Sequence, residues 1–445
     1  MRLPAGPKQA QSRKDLPLST TISEQIPNAD WLSGRLEAAT AVLASLATCA
    51  IFFSIALSQI FLGAALLALL LSRRPIRFPA RLGFALLAFL GWSLLSLAFS
   101  PNVPQGIPQL RKLFVFLALV VAYNAYTHQR QIWKTAQAVV LGGAVAALYG
   151  LLQFVQDYWR ITSQGLPFYE NYIVHQITGF MSHWLTFGGQ LLIVVLLAAS
   201  MALFGKLSGA MRWAAWLATA LAALALLGAF TRGVWLGAFA GLAYLLIRFQ
   251  PRSLWLLPAA ALLLYFISPS WLQRRGLSII DTGADTSNQA RVVMFWTGLN
   301  MISANPWLGV GPERVAAEFS RYKPPQTPLP PGWYGHLHDN YLQLAAERGI
   351  PCLLFWFWVL FEVFRLSWSL ARSPSPEGRA LGHAAIAISI GLMVAGLFEF
   401  NLGDSEIMMP YLFLIAAGFA WTRLEPTEQH RGDAVPGSVV LPQAS

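Results

Sequence analysis

His336-Leu337-His338-Asp339-Asn340-Tyr341-Leu342-Gln343-Leu344-Ala345-Ala346-Glu347-Arg348-Gly349 stands between a proline-rich run, Pro324 to Pro331, and an apolar run that begins at Ile350. Asp339 or Asn340 can cap a short helix that runs through Glu347, Gly349 can close it, and Pro351 can open the next helix. Titratable groups therefore sit where water should meet a membrane, and the apolar runs on either side decide the fold.

Hydrophobic residues make up 56% of the 445 and charged residues only 11%, with a mean hydropathy of +0.52. A soluble globule cannot hide that much apolar surface, so the expected class is an all-α polytopic integral membrane protein. Runs of roughly 17 to 25 apolar residues mark about twelve transmembrane helices. Residues 38–72 divide into two at Ser54, Ser58 and Gln59. Seven more fall at about 82–99, 113–126, 132–155, 184–204, 213–230, 233–249 and 253–268, and three at about 350–370, 381–398 and 407–422. The expected organisation is a disordered cytoplasmic tail (1–37), helices one to nine (38–268), one long, partly helical periplasmic loop (269–349), helices ten to twelve (350–422) and a second cytoplasmic tail (423–445).

The distribution of Lys and Arg sets the orientation, because cytoplasmic loops carry the excess. With both termini inside, twenty of the 31 fall in cytoplasmic segments, while the short outer loops hold only Arg111, Lys112, Arg160 and Arg232. The histidine-bearing loop then faces outward. Scattered basic residues suit a membrane topology better than a nucleic-acid face. Cys49 and Cys352 both lie in apolar runs, so no disulfide framework or zinc cluster is expected. Within the long loop, Ser287 to Ala304 has Val292, Phe295, Leu299 and Ile302 at helical spacing, with Arg291 on the flank. Gly309 to Pro312 reads as a turn, and Pro312 to Tyr322 as a second short helix.

Three side chains draw attention. Arg232 lies 20 residues after Arg212 and 16 before Arg248, legs of roughly 30 and 24 Å at helical rise, which puts it at the tip of an outward hairpin. A boundary arginine can simply anchor in headgroups, but a guanidinium fixed there also suits a phosphate. Arg291 on an exposed helix face reads as solvated when taken alone, as do Arg314, Arg321 and Lys323. His338 precedes a helix N-terminus, where a neutral imidazole able to accept a proton is favoured, the property of a general base; a plain capping role is the alternative, and His336 a substitute. The outer-facing carboxylates Asp281, Asp285, Glu313, Glu318, Glu399, Asp404 and Glu406 are spread along the chain. No paired-aspartate, HExxH, CxxC, GxSxG or phosphate-loop motif is present, so no metal and no cofactor are expected.

Thr231-Arg232-Gly233-x-Trp235-Leu236-Gly237, then Arg291 with Asn305-Pro306-x-x-Gly309-x-Gly311, then His338-x-Asn340-Tyr341-Leu342 with Glu347-x-Gly349-Ile350, resemble in order and spacing the O-antigen ligase and polymerase superfamily. The resemblance covers about residues 38 to 423 and implies a GT-C-like membrane glycosyltransferase. Such an enzyme moves a glycan from a polyprenyl-diphosphate carrier to an acceptor hydroxyl on a lipid A-core or a growing glycan. It works at the periplasmic face of the bacterial inner membrane, without metal or nucleotide sugar. Arg232 and Arg291 would then bind the diphosphate and His338 would activate the hydroxyl. Many relatives carry an arginine just before a Thr-Gly or Ser-Gly pair, where this chain reads His175-Gln176-Ile177-Thr178-Gly179. His175, Lys112 or Arg160 would have to supply that contact, and Arg314, His336, Asn340 and Tyr341 are further candidates around the site. The competing classes are a transporter of a small anion such as bicarbonate, for which midplane ionisable groups and inverted repeats are expected, and a scaffold whose loop does not depend on His338.

Overall fold

The computed structural model describes residues 29–278, 286–330 and 335–425, and among these there is no strand. Most of both expected tails, Asp281 and Asp285, and Pro331 lie outside the described residues, as does the side chain of Arg111. Helices α1 (Ala29–Ala50) and α2 (Ile55–Leu71) form a hairpin, followed by α3 (Ala80–Ala98). Next come α4 (Val103–Leu113), which continues through a single 3-10 turn into α5 (Leu117–Ala125), then α6 (Gln129–Ser163) and the short α7 (Phe168–Tyr172). After them run α8 (Trp184–Phe204), α9 (Gly209–Gly228), α10 (Arg232–Phe249), α11 (Leu256–Ile267), α12 (Ser270–Leu277), α13 (Thr286–Ala304) and α14 (Val315–Tyr322). The chain closes with α15 (Asn340–Leu370), α16 (Pro376–Ala395) and α17 (Ser405–Leu424).

Each of the twelve expected segments overlaps a helix, but length and apolarity support fewer crossings. Among the described residues nine helices are long and apolar enough to span a membrane: α3, α4 with α5, α6, α8, α9, α10, α15, α16 and α17. Of the other three, α1 carries Arg35 and Glu37 in its first half, and the helices Ile55–Leu71 and Pro251–Ile267 are shorter. The α1–α2 break falls where the serines predicted it: Ser54 caps α2 by accepting from Leu57 N, and Ser58 Oγ donates to Ala47 O at 2.7 Å across the hairpin. The first boundary moves, since α1 begins at Ala29 and residues 29–37 are helix rather than tail.

Helix α8 runs through the centre, buried along nearly all its length. Helix α10 packs against α16 along Gly233, Gly237 and Gly241, one per turn. A Cβ at Gly237 would lie 2.3 Å from Gly391 O, and one at Gly233 would lie 2.7 Å from Phe398 Cβ. Small residues let the two backbones approach, which is how helices associate where no hydrophobic force drives them together. That contact fixes the start of α10 beside the end of α16. The glycines after Arg232 in the Thr231–Gly237 motif thus have a packing role.

The extramembrane-type segment is joined to α15 backbone to backbone. Val310 N donates to Ala346 O, Gly311 N to Glu347 O and Ile350 N to Pro306 O, all within 3.0 Å. Gly309 (φ +68) and Gly349 (φ +82) both adopt left-handed backbone, and a Cβ on Gly349 would come within 1.9 Å of Trp307 O. Only glycine meets both demands. Gly349 also breaks α15, so its first nine residues form a helix of their own before Pro351 resumes the span. A small separate core, with Met294, Met301, Val315, Phe319, Leu337 and Leu342, holds α13 and α14 under this joint.

Two local expectations are corrected. The second short helix starts at Val315, not Pro312, because Glu313 takes a positive φ of 60° to place its N–H on Glu347 Oε1 at 3.0 Å. In α13 the stripe at Val292, Phe295 and Leu299 is exposed, whereas Met294, Thr297 and Met301 are buried. Apolar residues occupy both sides of this helix, so periodicity alone could not say which side packs.

Candidate active site

Arg232 is the first residue of α10, and the tip before it is held from three directions. Arg275 donates through Nε and Nη2 to Phe230 O at 3.1 and 2.7 Å, and Tyr172 Oη donates to Gly228 O at 2.6 Å. Trp235 Nε1 donates back to Leu226 O at 2.7 Å. The guanidinium of Arg232 is buried and oriented: Nη1 donates to Ser278 O and Ser278 Oγ, each at 2.7 Å, and Nη2 to Asn288 Oδ1 at 3.1 Å.

Asn288 and Arg291 lie one turn apart on α13. Arg291 Nη2 donates to Glu399 Oε1 at 2.8 Å, and Glu399, itself 4% exposed, reaches His338 Nδ1 with Oε2 at 3.1 Å. One buried carboxylate thus bridges the guanidinium and the imidazole. With the carboxylate accepting, Nδ1 carries the proton and Nε2 is the ring nitrogen left to accept one.

The backbone around His338 is fixed by side chains of its own helix. Asp339 is the N-cap of α15 and accepts from Tyr341 N and Leu342 N at 2.8 Å each. Gln343 Oε1 accepts from Leu337 N at 2.7 Å, while Gln343 Nε2 donates to Glu347 Oε1 at 2.9 Å. His338 itself sits at φ +50, and its N–H points to His336 Nδ1 at 3.3 Å. Burial, aided by His338 and Lys112, pushes His336 down to about 3, which keeps that ring neutral and an acceptor. Asn340 and Tyr341 are spent on packing: Asn340 N donates to Gly396 O and its Oδ1 accepts from Leu402 N, and Tyr341 Oη donates to Met393 O. Both fasten α15 to the end of α16, which carries the chain into Glu399.

Two cavities meet at His338. The first, of about 460 Å³, is lined by Arg232, Asn288, Arg291 and His338 together with Leu236, Val292, Phe295, Trp296 and Leu397. The exposed stripe of α13 forms its apolar side. The second, of about 530 Å³, is polar; its lining includes Lys112, Thr186, Glu313, Glu347, Glu399, Asp404 and Glu406 besides His336 and His338. The carboxylates expected to be spread out are therefore gathered in part: Glu313, Glu399, Asp404 and Glu406 border one space, although they come from two parts of the chain. Glu318 stands apart, paired with Arg314.

Lys112 reaches the second cavity and pairs with Glu313 at 3.5 Å. Arg160 and His175 line neither cavity; Arg160 pairs with Asp157 and His175 is exposed. Arg314 caps the approach to α14 and bonds Gln105. Sequence reasoning did not single out Glu399, the residue that joins Arg291 to His338, nor Arg275, which holds the α10 tip. No group of three or more His, Cys, Asp or Glu side chains placed to hold a metal ion occurs among the described residues.

Residues 217–357 match the family model described as O-antigen ligase. That segment is similar to the O-antigen ligase family. That supports the chain's place in the O-antigen ligase and polymerase superfamily, and with the nine apolar helices it indicates a multi-pass enzyme of the bacterial inner membrane. The matched segment contains Arg232, Arg291 and His338 and ends before Glu399. No curated protein matches the chain.

Asp404 gives the site a measurable pH signature. Burial, with Glu406 adding, raises its carboxyl to about 7 from 3.8. A folded-state value above the unfolded one means a contribution to stability that is complete below pH 3.8 and lost as pH rises through 7. Asp404→Asn, which cannot ionise, should therefore melt above the parent protein by a margin that grows between pH 4 and pH 8. Thermal unfolding of the detergent-solubilised protein across that range checks it, and a margin that shrinks with pH would count against the assignment.

Proposed function

We propose that this protein is a glycan transferase in which Arg232 and Arg291 hold the diphosphate of a polyprenyl-linked donor and His338 activates an acceptor hydroxyl. The observation that carries this reading is the position of His338, held by Glu399 in the wall shared by an arginine-bearing, partly apolar cavity and a polar one. In the reaction the acceptor O–H gives its proton to His338 Nε2 while its oxygen bonds the anomeric carbon. The bond from that carbon to the phosphate oxygen breaks, and polyprenyl diphosphate leaves with the electron pair. The leaving group is already good, so the site needs positive charge where negative charge grows and a base for the incoming hydroxyl. Two guanidiniums supply the first, which makes a metal-independent reaction the expectation. The carboxylate of Glu399 stabilises the imidazolium that forms.

The apolar stripe of Val292, Phe295 and Trp296, facing Leu236 and Leu397, suits the first isoprenes of the carrier. The topology that serves this reading has α1, α2 and α11 crossing as well, twelve spans in all. Both termini are then cytoplasmic and residues 269–349 periplasmic, as the excess of Lys and Arg at the opposite helix ends supports.

The test is transfer by purified protein in nanodiscs, with a polyprenyl-diphosphate glycan, lipid A-core or glycan acceptors, and a chelator present. Glycan should appear on an acceptor with release of polyprenyl diphosphate. A donor that is neither bound nor consumed would sink the reading, and loss of activity in chelator would remove its metal-free form. Arg232→Lys should lower kcat/KM for the donor by about 10²-fold, because a single ammonium cannot make the two-pronged contact that a guanidinium makes with phosphate. Unchanged donor kinetics in that variant would take Arg232 out of the site.

A further inference from the structure

Five carboxylates border the second cavity, Glu313, Glu347, Glu399, Asp404 and Glu406; Lys112 answers Glu313 and Arg291 answers Glu399, which leaves Glu347, Asp404 and Glu406 as the excess, the first two raised to about 7 by burial. The neighbouring rings do not redress the balance, since burial holds both His336 and His183 toward the neutral form. Charge of one sign around a confined space excludes more of the same sign.

Hydrogen bonding makes the demand more specific. Asn401, 4% exposed and part of the lining, has a buried Nδ2 with no acceptor. Glu347, 1% exposed and also in the lining, has a buried Oε2 with no donor, its nearest cation being Arg348 Nε at 3.9 Å. A buried polar atom left unsatisfied costs about 1–3 kcal/mol, and either side chain recovers that if it turns its polar atom into the cavity to meet a guest. One site offers a proton and the other requires one, and a hydroxyl is the group that both accepts and donates. His338 lines the same cavity, so a polyhydroxylated guest there would bring an O–H to the proposed base.

We infer that this cavity is the acceptor site and selects a neutral or amine-bearing terminal sugar, excluding phosphorylated and uronic-acid ends. The inference rests on the transferase reading above and adds the acceptor's chemical class. Burial chiefly, with the negative charge of Glu406 adding, raises the carboxyl of Asp404, so part of that rise reports the negative field of the cavity.

The experiment uses the full chain in nanodiscs with one donor and four acceptor glycans that differ only in the terminal residue: a hexose, a 2-amino sugar, a hexose 6-phosphate and a uronic acid. The neutral and amino ends should be used at least tenfold better in kcat/KM than the two acidic ends. Glu406→Gln should narrow that gap several-fold, with Asp404→Asn as the second variant if the first fails to fold. Equal use of all four, preference for an acidic end, or a gap untouched in a folded variant would overturn the inference. Donor binding measured without acceptor separates the two readings. A donor that binds while the acceptors are not distinguished defeats the acceptor assignment alone; a donor that neither binds nor reacts defeats the transferase reading and this inference with it.

Discussion

His338→Ala should lower glycan transfer by about 10²- to 10⁴-fold, the usual worth of a positioned acid–base group, while the protein accumulates and melts as the parent does. Among the described residues the side chain makes one hydrogen bond, Nδ1 to Glu399 at 3.1 Å, beside a ring contact with His336, and Glu399 keeps its bond to Arg291 when the ring is removed. The backbone there is held by Asp339 and Gln343 rather than by the imidazole. Donor affinity should change little, since the guanidiniums stay in place. Transfer rate, donor binding and thermal melting on one preparation decide the matter: full activity removes the proposed base, and a collapsed melting curve would show a structural role instead.

Glu399→Gln should cost a comparable 10²- to 10⁴-fold, through a specific failure. Arg291 has only protons to offer, so the new amide must turn its oxygen toward Nη2 and present its NH₂ to His338. Nδ1 must then accept, which puts the ring proton on Nε2 and leaves no lone pair for the acceptor hydroxyl; the wrong tautomer is as damaging as a missing base. Glu399→Asp, which keeps a carboxylate, should recover part of the rate. Because Glu399 is a positioning residue, the telling readout is the pH–rate profile, whose limb for the base should move in Glu399→Gln and be regained with Asp. An unaltered profile alongside reduced protein yield would reassign Glu399 to stability.

These two residues also show what could be read in the chain. Arg232, Arg291 and His338 stand out because each belongs to a local pattern: a hairpin tip, a helix ahead of Asn-Pro, a capped helix behind a proline-rich run. Glu399 belongs to none. It lies 61 residues from His338, at the end of an apolar run, where a lone carboxylate resembles any boundary charge; only the packing of α10 on α16 and the bonds from Asn340 to Gly396 and Leu402 bring it under the ring. Arg275 is hidden in the same way, since its role is to hold a carbonyl 45 residues away. Arg160 and His175 are candidates by the family pattern and by outward position, yet neither borders the cavities; the helices that bear and precede them, α6 and α7, pack on each other through Phe154, Phe168 and Tyr172. Helix positions were legible from apolar length, whereas the exposed side of α13 was not, because both of its sides are apolar.

The single imidazole between two cavities has a kinetic meaning on the reading proposed here. Donor and acceptor enter by different doors and are present together, so the sugar passes once, from carrier to hydroxyl, and the protein never has to store it. Neither substrate needs to leave before the other arrives, and the water that would compete for the sugar is kept out by the acceptor itself.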